Sequence, residues 1–188
     1  MTNGVRPAKL AIMEYASIRF AIHDAVATLT LARGDKLNAL TPAMADEMRH
    51  ALGNCGAARA VLIRGEGRAF CSGADLAQVL ATGEPGEGAY VSLKDHYHPL
   101  IFDIVRHPLP IVAQVTGAAA GIGCSLALAC DFCLADETAY FLQAFANIGL
   151  VPDGGASWLL PRLIGKARAA EMLMLGERLS AVRAEEWG

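Results

Sequence analysis

The stretch from Leu109 to Cys130 restricts the fold most, because its 22 consecutive residues carry no formal charge. That is long enough to cross a bilayer as one helix. Pro110, Gln114, Thr116, Gly117, Gly121, Gly123 and Ser125 interrupt it, however, and Pro and Gly punctuate short elements. A buried strand over 111–115, a glycine turn and a buried helix over 121–129 therefore replace the single span. A strand feeding a helix in this way is expected of an α/β layer architecture, not of a membrane protein.

Composition agrees with one globular unit over residues 1–188, with 54% hydrophobic and 19% charged residues. Net charge is −3, from 16 basic and 19 acidic residues without a Lys/Arg run, which argues against nucleic acid and anionic membrane surfaces as partners. Aromatic residues are few, so base-stacking platforms are not expected. Residues 1–20 lack a secretory leader pattern, since Arg6 and Lys9 precede too short an apolar run before Glu14. The expected location is the cytoplasm. The five cysteines include Cys130 and Cys133 at CxxC spacing, but no second pair of ligands stands at finger spacing. Reduced, buried thiols and no metal site are expected.

Alternating residues predict strands over 17–23 and 25–32 with a turn at Asp24. Thr41-Pro42 opens a helix to about residue 52, Thr41 as N-cap and Pro42 in the first turn, where its missing N–H costs nothing. A strand over 60–64 and a helix over 74–80 follow. Residues 82–88 (TGEPGEG) read as a mobile loop. Beyond it come a helix over 90–106 that Pro99 kinks, a strand over 132–135, helices over 158–163 and 167–175 split by Gly165, and a last helix to Trp187 capped by Ser180.

Two small-residue loops each precede a helix: Ala69-Phe70-Cys71-Ser72-Gly73-Ala74-Asp75-Leu76 and Gly117-Ala118-Ala119-Ala120-Gly121-Ile122-Gly123-Cys124. Unpaired N–H groups at such a place can hold an oxyanion, and close packing of helix on strand is the structural alternative. Gly121-Ile122-Gly123 is no dinucleotide fingerprint, since position 126 is Leu126; Gly123-Cys124-Ser125-Leu126-Ala127 is no nucleophile elbow, since it ends in alanine.

In order and spacing these loops resemble the enoyl-CoA hydratase/isomerase (crotonase) family, as do Lys36-Leu37-Asn38-Ala39-Leu40 and the segment 141–162 with Gly149-Leu150-Val151-Pro152-Asp153-Gly154-Gly155. The resemblance covers roughly residues 15–188 and implies an α/β spiral of β-β-α units, assembled as a homotrimer or hexamer. It also implies a C-terminal helical part that this chain does not include. The substrate implied is an acyl-CoA, with coenzyme A part of that substrate and no separate cofactor. The implied oxyanion hole is the pair of amides of Ala74 and Ile122. Lys36 is the implied phosphate partner and Arg33 a weaker one; Leu37, Ala39, Ser72, Asp75 and Leu76 line the adenine–pantetheine path. Gly121, Ser125 and Phe145 line the substrate side.

Departures from the family pattern select among its reactions. The two glutamates of a hydratase would fall at Ser125 and Phe145, so both carboxylates that orient a water and pass its proton are missing. Asp153 remains, as in the isomerase-like branch that includes ring-epoxyphenylacetyl-CoA isomerase, where the Trp158–Arg162 pattern (WLLPR) also recurs. Left to itself, Asp153 also fits a turn former ahead of a helix. A dehalogenase branch pairs a histidine at the place of His98 with an aspartate at that of Asp153, and its aromatic clamp is not evident in the sequence. His98 is expected to line the pocket in preference to acting as the base. The expected activity is double-bond or epoxide isomerisation through an enolate, with a hydratase and a non-catalytic acyl-CoA-binding protein as alternatives.

Overall fold

The computed structural model describes residues 14–79 and 86–188. The predicted loop at 82–88 lies mostly outside them, as does most of the segment in which a leader was sought.

The chain begins with a hairpin, β1 (Ile18–His23) and β2 (Val26–Leu31), turned at Asp24 and Ala25, both with positive φ. Ala27, Leu29 and Leu31 form the buried face of β2, so Val26, Thr28 and Thr30 take the outer one. Thr41 caps α1 (Pro42–Leu52), its Oγ1 accepting the Met44 N–H at 3.1 Å. Met44, Met48, Ala51 and Leu52 of that helix are buried.

Three successive passes then each give one strand to a first sheet and one to a second. These are β3 (Ala60–Gly65) with β4 (Ala69–Cys71), β5 (Ile111–Val115) with β6 (Ala118–Ala120), and β7 (Phe132–Ala135) with β8 (Tyr140–Leu142). The first sheet runs β1-β2-β3-β5-β7, parallel beyond the hairpin. The second runs β4-β6-β8-β9, where β9 (Leu179–Ser180) closes antiparallel on β8. Helices follow the passes: α2 (Leu76–Val79) and α3 (Glu87–Ser92) with α4 (His98–Val105), then α5 (Ile122–Leu128), then α6 (Ala156–Leu175). This is the β-β-α spiral. The 22-residue uncharged stretch is β5, β6 and α5, and no helix among the described residues is long and apolar enough to cross a membrane.

Several expectations need correction. The helix expected from Ala74 begins at Leu76, because Ala74 is held in a bridge to Leu40. The helix expected over 90–106 is two helices joined by a π-turn at Leu93–Tyr97, ahead of Pro99. Pro99 has no N–H to return to Asp95, and the His98 N–H reaches the Leu93 carbonyl instead. Gly165 does split α6 into two helical pieces (φ 79°, ψ 161°). Ser180 caps α7 (Ala181–Trp187), accepting from the Arg183 N–H. Strand β7 is exposed along its whole length, so Cys133 is an exposed thiol; Cys55, Cys71 and Cys124 are buried. All five cysteines are free, and burial pushes Cys71 up to about 11 and Cys124 up to about 12, which keeps both as thiols.

Candidate active site

The site forms where the ends of β4 and β6 lie side by side in the second sheet. A Cβ placed on Gly121 would stand 3.8 Å from the Gly73 Cα and 3.7 Å from the Phe145 ring, so the two loops touch and Phe145 covers them. Gly121 has φ +53°, which glycine adopts without strain, and its N–H is fixed to the Leu142 carbonyl at 2.8 Å.

Two peptide planes decide where the candidate amides point. The Gly73 carbonyl accepts the Leu40 N–H at 2.8 Å. A trans peptide sets its N–H opposite its C=O, so the Ala74 N–H is turned away from Leu40. The Gly121 carbonyl accepts the Ser125 N–H at 3.1 Å in the first turn of α5, so the Ile122 N–H points out of the helix start. Among the described residues neither N–H has a hydrogen-bond acceptor. Two unpaired donors thus follow two glycines that lie against each other.

Asp153 is brought to this place by its neighbour. A Cβ on Gly154 would fall 2.4 Å from Ile122 Cδ1 and 2.6 Å from Ser125 Cβ, so the turn sits directly on the start of α5. The Asp153 carbonyl accepts the Ser125 hydroxyl at 3.1 Å and the Ala156 N–H at 3.1 Å. The N-cap of α6 is Gly155, with no side-chain cap. The turn is therefore held by the Asp153 backbone, and its carboxyl does no capping. Asp153 Oδ1 is buried without a hydrogen-bond partner among the described residues. Burial pushes the group up from 3.8 to about 6, because the charged form is poorly solvated there.

A cavity of about 470 Å³ opens beside Gly154 and Gly155, lined by His98, Ile101, Phe102, Trp158 and Leu159 among others. His98 is exposed and faces it from the start of α4. Phe102 and Trp158 are aromatic walls that the sequence did not reveal, since their proximity depends on how α4 and α6 cross. The candidate hydratase positions hold no carboxylate. Ser125 is fully buried, with its hydroxyl on the Asp153 carbonyl, and Phe145 is 8% exposed.

The remaining predicted residues divide by environment. Lys36 is exposed at the end of a short 3-10 turn, and Leu76 is also exposed. Leu37, Ala39 and Ser72 are half-buried along one edge, where the Ser72 N–H donates to the Leu37 carbonyl at 3.0 Å. Arg33 is not a free phosphate partner, because its guanidinium pairs with Asp75 at 2.9 Å and donates to the Ala39 carbonyl. Asp75 is correspondingly occupied in tying the loop to that segment. Sequence reasoning missed Asn38, fully buried, whose amide donates to the Glu66 and Ala69 carbonyls at 2.9 and 2.8 Å while its Oδ1 accepts the Arg33 N–H. The signal available was an Asn between two apolar residues, a residue type that tolerates the left-handed backbone it adopts here. Among the described residues no cluster of three metal-ligating side chains occurs.

Fold and site together define a β-β-α spiral protein with two unpaired amide donors at adjoining glycine loops and, in the turn seated on α5, a carboxyl with one buried, unpaired oxygen. The chain belongs to the enoyl-CoA hydratase/isomerase family, whose model matches residues 21–188. It is 45% identical over 177 residues to a protein of Rhodobacter capsulatus named probable enoyl-CoA hydratase, covering 94% of this chain and 68% of that one. It is 40% identical to the 1,2-epoxyphenylacetyl-CoA isomerase of Escherichia coli, covering 89% of this chain and 65% of that one. A solved structure described as an enoyl-CoA hydratase from Polaromonas sp. JS666 superposes with a TM-score of 0.86 at 38% identity, covering 92% of this chain and 68% of that one. The chain thus spans about two thirds of the length of these relatives.

Proposed function

We propose that this chain isomerises an acyl-CoA thioester, moving a double bond or opening an epoxide through an enolate. The observation that carries this reading is Asp153, a carboxyl whose backbone makes the turn seated on the start of α5 while its side chain keeps a buried, unpaired oxygen. Positions 125 and 145 hold a hydroxyl turned onto that turn and a phenyl ring, neither of which can activate a water as a carboxylate does.

In this mechanism the thioester carbonyl accepts hydrogen bonds from the Ala74 and Ile122 amides, which stabilise the oxyanion when a proton leaves the adjacent carbon. One such donor is worth about 3–4 kcal/mol in the barrier of comparable sites. Asp153 takes the proton as carboxylate and returns it two carbons further along, so one group suffices. A value of about 6 leaves most of it ionised at neutral pH yet makes its protonated form an adequate acid. Phe145 keeps water from the oxyanion loops. His98, Phe102 and Trp158 line the acyl cavity. Lys36 meets a CoA phosphate, and Leu37, Ala39, Ser72 and Leu76 line the path of the pantetheine arm. Coenzyme A is part of the substrate, and no other cofactor takes part. The protein works as a homotrimer or hexamer in the cytoplasm.

The test is to add a 3-enoyl-CoA and, separately, a 2-enoyl-CoA and follow the absorbance of the conjugated thioester. A rise with the first supports isomerisation. A fall with the second and no rise with the first marks a hydratase, and binding with no change in either marks a CoA-binding protein.

A further inference from the structure

We propose that Tyr97 is a positioning residue for the Ala74 amide: its hydroxyl anchors the Leu40 carbonyl and so holds the peptide plane that aims this donor. The proposal rests on the oxyanion role given to Ala74 above.

Tyr97 is 2% exposed, and its hydroxyl donates to the Leu40 carbonyl at 2.9 Å. The same carbonyl accepts the Asp75 N–H at 2.9 Å, while the Leu40 N–H donates to the Gly73 carbonyl at 2.8 Å. Leu40 therefore touches the loop on both sides of Ala74, through the carbonyl of Gly73 and the N–H of Asp75. The direction of the Ala74 N–H follows from where Leu40 sits. Asp75 supports Leu40 from the loop itself, so it moves with the loop; Tyr97 supports it from a different element. Tyr97 is the external reference.

The local backbone is shaped for this contact. Tyr97 ends the π-turn Leu93–Tyr97, and His98 follows at the start of α4. The extra residue of a π-turn rotates the chain, so Tyr97 points into the core and His98 faces the cavity. One turn thus connects the acyl cavity to the oxyanion loop. Burial above all, and then the nearby Cys71, Asp153 and Asp75, push the phenol's pKa upward, so it remains a protonated donor. A phenylalanine there fills the same space and makes every contact except the hydrogen bond to Leu40.

The experiment compares wild type with Tyr97→Phe by difference infrared spectroscopy of a bound saturated acyl-CoA labelled with ¹³C at the thioester carbonyl, together with steady-state kinetics. In wild type the carbonyl stretch shifts to lower frequency on binding. In Tyr97→Phe that shift shrinks, and kcat falls about tenfold, or about 1.4 kcal/mol, while KM stays within threefold. An unchanged shift and kcat in the variant would overturn the proposal and leave the oxyanion reading intact. A variant that binds no thioester or does not fold would also overturn it, by assigning the hydroxyl to stability. No shift in wild type would remove the oxyanion reading and this proposal together.

Discussion

Replacing Asp153 by Asn should change stability and turnover in opposite directions. In the folded protein the carboxyl is raised from 3.8 to about 6 by burial. A raised carboxyl binds its proton more tightly folded than unfolded, so stability falls as pH rises from about 4 to about 6. Above that window the ionised group costs about 3 kcal/mol. Asparagine keeps the shape and leaves untouched the backbone bonds from Ser125 and Ala156, but it carries no charge. The variant should therefore be more stable than wild type by up to about 3 kcal/mol at pH 7.5, or about 6–12 °C in Tm. The gain should vanish near pH 4, where both proteins are neutral at this position. Turnover should fall about 10²–10⁴-fold, the worth of a general acid–base group, with thioester affinity within a few fold. Thermal melts across pH 4–8 and kinetics on the same samples measure both. Equal or lower stability of the variant at pH 7.5 would refute the buried, unpaired carboxyl, and near-wild-type turnover would refute its role and point to His98.

Other consequences concern the frame around that carboxyl. Gly154→Ala forces a Cβ to within 2.4 Å of Ile122 at φ +58°, and should cost about 1–3 kcal/mol in urea unfolding and lower kcat more than it changes KM. Asn38→Ala leaves the Glu66 and Ala69 carbonyls without their side-chain donor, and should cost about 2–4 kcal/mol in the same assay. A double-mutant cycle of Arg33→Ala with Asp75→Ala should show about 1–2 kcal/mol of coupling, since both side chains are largely buried. Were Arg33 a phosphate ligand instead, its single variant alone would weaken CoA binding. Sedimentation of the active protein should show a species larger than a monomer; a monomer that turns over would contradict the assembly proposed.

What was legible in the sequence was what local chemistry determines. Thr41-Pro42 and Ser180 start helices because a hydroxyl can accept an orphan N–H wherever the chain sits. Asp24 marked the hairpin, and the glycines at 73 and 121 marked the two loops, whose mutual contact only the parallel pairing of β4 with β6 creates. Tertiary anchors were not legible. Pro99 announced a break, but the π-turn ahead of it exists where Tyr97 reaches Leu40, 57 residues away in sequence. Arg33 reads as a weak phosphate partner in the sequence because the side chain that occupies it, Asp75, is 42 residues distant. The apolar run Phe132-Cys133-Leu134-Ala135 suggests a buried strand, yet β7 lies at the edge of its sheet and is exposed along its length.

In the proposed isomerisation one carboxyl moves a proton within the substrate over an oxyanion held by two amides. A 3-enoyl-CoA carrying deuterium at the carbon next to the carbonyl tests it most directly, with rate and product followed by mass spectrometry and NMR. Turnover should be slower than with the unlabelled substrate, and the conjugated product should lack any added water and carry part of its deuterium two carbons further along. A product heavier by one water, or a rate indifferent to the label with none transferred, would contradict it.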